Sequence, residues 1–226
     1  MSMNSTNLKA IFAIAALCAS GAANADFGVG IKAGTLGIGF EGRWSPIPWF
    51  DIRAGLNKLD YERNGTWSKI DYDATLVLDT YFLTANFKFP LSPFRVTVGA
   101  FSNGNEFQMV SQDTGGIDFD IGGIPFGPDD VGVLQSTTSF DKTAPYFGFG
   151  FDFEVFGKVG LNLDLGVLWQ GDPIVTLEAT GLDNVVPQAL QDELRTAIEI
   201  ERQQLEDEMS DFKAWPVISL GFVYNF

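Results

Sequence analysis

The sequence contains no histidine, and its single cysteine, Cys18, lies within the first 25 residues. Imidazole acid–base chemistry, histidine metal ligation and cysteine nucleophiles are therefore absent beyond residue 25, and no disulfide can staple the chain. Cations are scarce, with 14 Lys plus Arg against 29 Asp plus Glu and a net charge of −15. That balance excludes nucleic acid as a partner, because such binding needs a basic surface. After residue 25 no run of about 20 apolar residues occurs, so no transmembrane helix is expected. There is no GxSxG motif and no phosphate-cradling glycine loop. "GVGIKAGTLG" (residues 28–37) is rich in glycine but belongs to strands. Together these gaps predict a protein that is not an enzyme and has no cofactor and no bound metal.

What is present begins with a leader. Residues 1–25 carry one charged residue, Lys9, then the apolar run "AIFAIAALCA", then small residues at Ala23 and Ala25. This is the three-part pattern of a cleavable secretory signal, with the mature chain expected to start at Asp26. Leu17, directly before Cys18, is not the small residue that a lipoprotein signal needs.

The body alternates with period two. Val159, Leu161, Leu163, Leu165, Val167 and Trp169 oppose Gly160, Asn162, Asp164, Gly166, Leu168 and Gln170. Phe147, Phe149, Phe151 and Phe153 oppose Tyr146, Gly148, Gly150 and Asp152, and the stretches 50–57 and 94–100 behave alike. Such alternation means strands with one apolar and one polar face. The polar set is mostly Gly, Asn, Thr and isolated charges, which suits the crowded interior of a small barrel. The apolar set is bulky and nearly free of charge, as a lipid-facing band requires. Connections alternate between short ones (45–48, 90–93, 156–158) and long ones (about 61–71, 109–141, 171–213). Aromatics cluster beside the short ones: Trp44, Trp49, Phe50, Phe87, Phe89, Phe94, Phe153 and Phe156. Tyr61, Trp67, Tyr72, Trp169 and Trp215 fall towards the opposite rim.

The chain ends in "VISLGFVYNF", where Ile218, Leu220, Phe222, Tyr224 and Phe226 alternate to the last residue. With the leader and the alternating hairpins over 27–226, this resembles the outer-membrane β-barrel proteins of Gram-negative bacteria, small eight-stranded class. The resemblance implies an all-β, antiparallel up-and-down barrel over 26–226, placed in the outer membrane and surrounded by its lipid. It also implies that the terminal alternation is read by the barrel-assembly machinery, with short turns in the periplasm and long loops outside.

Seven strands are clear, at about 35–44, 49–62, 71–89, 94–108, 143–155, 158–178 and 214–226. A turn at Ala33-Gly34 would add the eighth, whereas a bulge there would not. A change of facing within 71–89, from Leu76 and Leu78 to Leu83, Ala85 and Phe87, is read as a bulge. The insertion 109–141 is an acidic loop, and its Asp118, Asp120, Asp129 and Asp130 lack the spacing of known calcium loops. The insertion 181–213 carries a helix from about Pro187 to Phe212. Its apolar stripe is Leu190, Leu194, Ala197, Ile198, Leu205, Met209 and Phe212. Packing on the barrel rim is favoured for it, over a lid or a helix for a protein partner of unknown kind.

The candidate site is the barrel interior, with Arg53, Asp73, Asp79, Arg95, Asp152, Asn162, Asp164 and Gln170 as its polar residues. Two functions remain open on sequence alone. One is a narrow passive channel for small or apolar solutes. The other is a structural or surface-recognition protein without transport.

Overall fold

A computed structural model describes residues 26–67, 70–112, 116, 118–156, 158–181 and 188–226. The leader, Pro187 and the tip at 68–69 lie outside them. Eight strands form a closed ring: β1 (Asp26–Gly34), β2 (Gly37–Ile47), β3 (Phe50–Trp67), β4 (Ile70–Lys88), β5 (Phe94–Asn103), β10 (Thr143–Phe156), β11 (Val159–Trp169) and β13 (Ala214–Asn225). The ring closes where β1 pairs antiparallel with β13, Val29 against Tyr224 and Ala33 against Leu220. The eighth strand arises from a turn two residues later than expected, at Thr35–Leu36. Gly37 follows it at φ +93°, a backbone conformation that glycine adopts without strain.

The first and last described residues and the connections near 45–48, 90–93 and 158 share one end of the barrel. Asp26 lies opposite Ser45, Phe226 N–H donates to Phe27 O, and Asn225 N–H donates to Lys158 O. We call this the turn end. The outward residues of the wall form a continuous apolar band that includes Ile31, Phe40, Leu83, Phe149 and the terminal set Ile218, Leu220, Phe222, Tyr224 and Phe226, all exposed. Trp44, Trp49, Phe87, Phe89, Phe153 and Phe156 ring its turn end.

The other end carries a folded lobe where loops were expected. β3 and β4 run beyond the ring as a ribbon, paired without a register break from Phe50↔Phe87 to Trp67↔Ile70. The expected loop at 61–71 is therefore mostly strand. β6 (Glu106–Ser111), β9 (Leu134–Ser139) and β12 (Ile174–Ala179) extend this ribbon into a five-stranded sheet. The expected strands 94–108 and 158–178 are each divided, at Gly104-Asn105 and at 170–173, as the chain passes from ring to lobe. The acidic loop 109–141 likewise contains a hairpin, β7 (Phe119–Ile121) with β8 (Ile124–Phe126), and a short helix α1 (Pro128–Val131).

Helix α2 (Gln188–Glu208) continues as a 3-10 turn over Met209–Lys213 and packs against β12 and β7. Leu194 and Ala197 of its stripe are fully buried with Phe119, Ile121, Phe126 and Val131, and Leu190, Ile198 and Tyr72 pack around them. Glu206 caps the lobe's edge strand by accepting from Val175 N–H at 3.3 Å. An unprotected edge would template pairing with another chain.

The facing change in β4 is not a bulge. The register shifts in the ring lie at the turn end, at Trp44/Ile47 and Glu154/Phe156. β4 keeps one register with β3 and exchanges its other partner, β5 along 80–88 for β6 along 72–77. Its odd residues face outward throughout. The chemistry of the two faces is what exchanges.

Candidate functional site in the barrel interior

The interior is filled in two layers. Towards the lobe, Leu36, Phe82, Phe101, Ala144, Tyr146, Leu168 and Val217 form a buried apolar plug, with Trp215 packed against it. Phe82 and Phe101 stack at 5.3 Å, and Tyr146 lies 5.3 Å from Phe101. The glycines of the inner face make room for these rings. A Cβ on Gly55 would stand 2.7 Å from Phe82 Cζ, closer than packed atoms approach. Gln170 closes the plug's outer edge, donating to Phe212 O at 2.9 Å and accepting from Asn105 Nδ2 at 3.3 Å.

Beneath the plug lies a charged layer. Arg95 is fully buried and donates to Asp152 at 3.0 Å, to Asn86 at 3.1 Å, to Thr97 at 2.7 Å and also to Asp164. Arg53 donates to Asp152 at 3.0 Å and stands 3.4 Å from Asp51 and 3.6 Å from Glu41. Lys88 pairs with Asp51 at 2.7 Å, and Lys32 with Glu41 at 3.6 Å. Asn162 donates to Glu41 at 3.3 Å, and Ser219 to Asp164 at 3.4 Å. Lys32 also lies 3.6 Å from the centre of the Phe82 ring, a cation–π interaction joining the two layers. Between the layers only about 30 Å³ is empty, bordered by Lys32, Glu41, Arg53, Phe82 and Tyr146. That is room for no more than a few water molecules.

The structure brings Arg53, Arg95, Asp152, Asn162 and Asp164 into this layer and sets Gln170 at the plug's rim. Asp73 and Asp79 are corrections, for neither points inward. Asp79 shares the outward parity of Leu83 and pairs with Lys58 at 3.2 Å on the outer surface. Asp73 lies beyond the ring, where β4 pairs with β6, and it accepts from Gln112 at 2.8 Å in solvent.

Lys32, Glu41, Arg43, Asp51, Asn86 and Lys88 belong to the layer too, and sequence reasoning missed them. Their signal is the same alternation. Glu41 and Arg43 sit between Phe40, Gly42 and Trp44, and Asp51 sits between Phe50 and Ile52. No cluster of carboxylates capable of holding a metal occurs among the described residues.

No protein-family model matches this sequence, and no curated protein matches it. Similarity appears among solved structures. The crystal structure of Acinetobacter baumannii CarO2 superposes with a TM-score of 0.58 at 19% identity, over 89% of this chain and 98% of that one. That of Acinetobacter baumannii CarO gives 0.53 at 20% identity, over 88% and 97%. The likeness is one of fold: the chain shares with them the architecture of a closed eight-stranded antiparallel barrel.

Proposed function

We propose that this protein is a non-enzymatic barrel of the outer membrane that carries a folded lobe at the cell surface and has no open path through its interior. The observation behind the reading is the doubly filled lumen, an apolar plug over a charged layer with about 30 Å³ between them. Eight strands enclose a space that side chains fill, and here bulky rings and ion pairs fill it. In this reading the turn end faces the periplasm. The apolar band faces lipid, and the lobe faces outward. The ion pairs hold the wall in register, and the lobe is the part available for surface recognition. Export through cleavage after Ala25, and recognition of Ile218, Leu220, Phe222, Tyr224 and Phe226 by the assembly machinery, belong to the same reading.

A narrow channel is the second reading. A cavity of about 200 Å³ at the turn end favours it, since this opening already reaches Asp152 in the charged layer. Single-channel recording of the refolded protein in a planar bilayer separates the two. Surface recognition without transport predicts no unitary current steps. Steps in the unaltered protein would establish the channel, and Phe82→Ala with Tyr146→Ala should then enlarge them.

A further inference from the structure

Among the described residues, the charged layer has one more cation than carboxylates. Lys32, Arg43, Arg53, Lys88 and Arg95 share Glu41, Asp51, Asp152 and Asp164. The least compensated of the five is Arg43. Its Nη1 lies 3.9 Å from Asp152, a carboxylate that Arg53 and Arg95 already hold at 3.0 Å. Its Nη2 donates at 2.6 Å to Asn225, a neutral amide.

Arg43 and Lys88 both line the cavity of about 200 Å³ at the turn end, with Asn225 and the apolar Phe153, Leu161 and Val223. The Arg43 side chain is only 11% exposed. A guanidinium withdrawn from water without a full anionic partner is costly. Its planar fork is suited to two-point binding of a carboxylate or phosphate.

We propose that this cavity is a binding site for a small oxyanion, a carboxylate or a phosphate, held by Arg43 with Lys88 beside it. The anion takes the place of the carboxylate that the ion-paired layer lacks, since Glu154, which lines the same cavity, is in none of the described ion pairs. The volume holds such a group together with several waters, each taking about 30 Å³ in the liquid. Glu154, exposed at the cavity's lip, opposes entry of a negative charge and weakens the site. The proposal does not rest on whether the lumen conducts, because it concerns only the turn-end cavity that Arg43 and Lys88 line.

The test uses the folded protein in maltoside micelles, which contain no phosphate. Inorganic phosphate and acetate are titrated separately at constant ionic strength against chloride, and binding is followed by calorimetry. The expected result is saturable binding of at least one of them. Arg43→Gln should weaken it about tenfold or more, and Glu154→Gln should strengthen it. Phosphatidylglycerol added to the micelles should compete if the natural source is a lipid headgroup, and should leave binding unchanged if the source is a free anion. Absence of saturation with both probes, or equal affinity in Arg43→Gln, would overturn the proposal. If Arg43→Gln does not fold, Glu154→Gln decides it, since unchanged affinity there is the overturning result.

Discussion

Ring and lobe share two strands, and along β4 the two faces exchange their chemistry. In the ring, the outward residues of β4 are Tyr81, Leu83, Ala85 and Phe87, and the inward ones include Thr80, Thr84 and Asn86. In the lobe the outward residues of the same strand become Asp73 and Thr75, and Tyr72, Leu76 and Leu78 take the covered side. The exchange happens within a residue or two of Asp79, whose pair with Lys58 marks the edge of the apolar band. The surroundings set which face is apolar. Lipid receives the apolar face of a barrel wall, whereas in water the apolar face turns inward. With the band in lipid, as proposed above, one uninterrupted strand would record the height at which its environment changes from hydrocarbon to water. Substitutions inside each region put this contrast under the heaviest load.

The largest effect is expected in the ring. Arg95 is fully buried with four side-chain partners. Arg95→Met keeps much of the volume and leaves Asp164 with Ser219 as its remaining hydrogen-bond partner. Stranding a buried carboxylate in this way costs about 3–5 kcal/mol. Urea titration of the lipid-refolded protein should show that loss, and a loss below about 1 kcal/mol would mean that the layer is hydrated enough to dispense with its pairs.

The lobe's counterpart is Leu194, at zero exposure among Phe119, Ile121 and Val131. Leu194→Ala should remove about 2–5 kcal/mol from this core. The loss should stay within the lobe. Limited proteolysis should cut the helix faster while the heat-modifiable migration of the barrel on gels stays unchanged. Simultaneous loss of both would show that ring and lobe unfold as one unit.

The ring was legible in the sequence because its alternation is long and repeated. Leu161, Leu163 and Leu165 against Gly160, Asn162 and Asp164 admit one facing when the apolar side is uniformly bulky. The lobe was not legible, for three physical reasons. β6, β9 and β12 have only six residues each, too few for alternation to distinguish strand from loop. Their pairings join distant segments, such as β9 with β12, and no local pattern announces them. The reversal of faces in β4 imitates a one-residue slip, so it reads as a bulge, and the same error turns Asp73 and Asp79 inward. Within the site, Arg53, Arg95, Asp152 and Asp164 could be found from parity alone. Their network could not, because Arg95 and Asp164 lie on β5 and β11, with β10 between them. The helix was legible because α2 repeats its apolar residues at three-to-four spacing. What it packs on was not.

On the outer surface of the ring, Leu163 stands mid-strand between Leu161 and Leu165, opposite Phe151 and Leu220. Leu163→Arg should cost about 2–4 kcal/mol if the band lies in lipid with Leu163 near the midplane. Measuring the same substitution in detergent and in bilayers of increasing thickness tests the facing directly, since the cost should grow with thickness. A cost independent of the surrounding amphiphile would place this face against something other than lipid.

The smallest effect is expected on the same kind of face, above the exchange. Val77 points outward like Leu83, but two residues past Asp79 towards the lobe. Its cross-strand neighbours are Asp60 on β3 and Glu106 on β6. An arginine there meets two carboxylates and water in place of hydrocarbon. Opposite charges directly across an antiparallel pair contribute about 0.2–1 kcal/mol, which offsets the apolar packing that the valine supplies. Val77→Arg should therefore change stability by no more than about 0.5 kcal/mol in either direction, and high salt should remove any gain. The pair of arginine substitutions, at Leu163 and at Val77, measures the height of the exchange without reference to any structure. A cost at Val77 that approaches the cost at Leu163 would move the edge of the apolar band past Asp79 and leave the Lys58–Asp79 pair inside the membrane. Moving the arginine one outward position at a time along β4, from Val77 through Tyr81 to Ala85, should then locate the step, which the exchange of faces places between Asp79 and Tyr81.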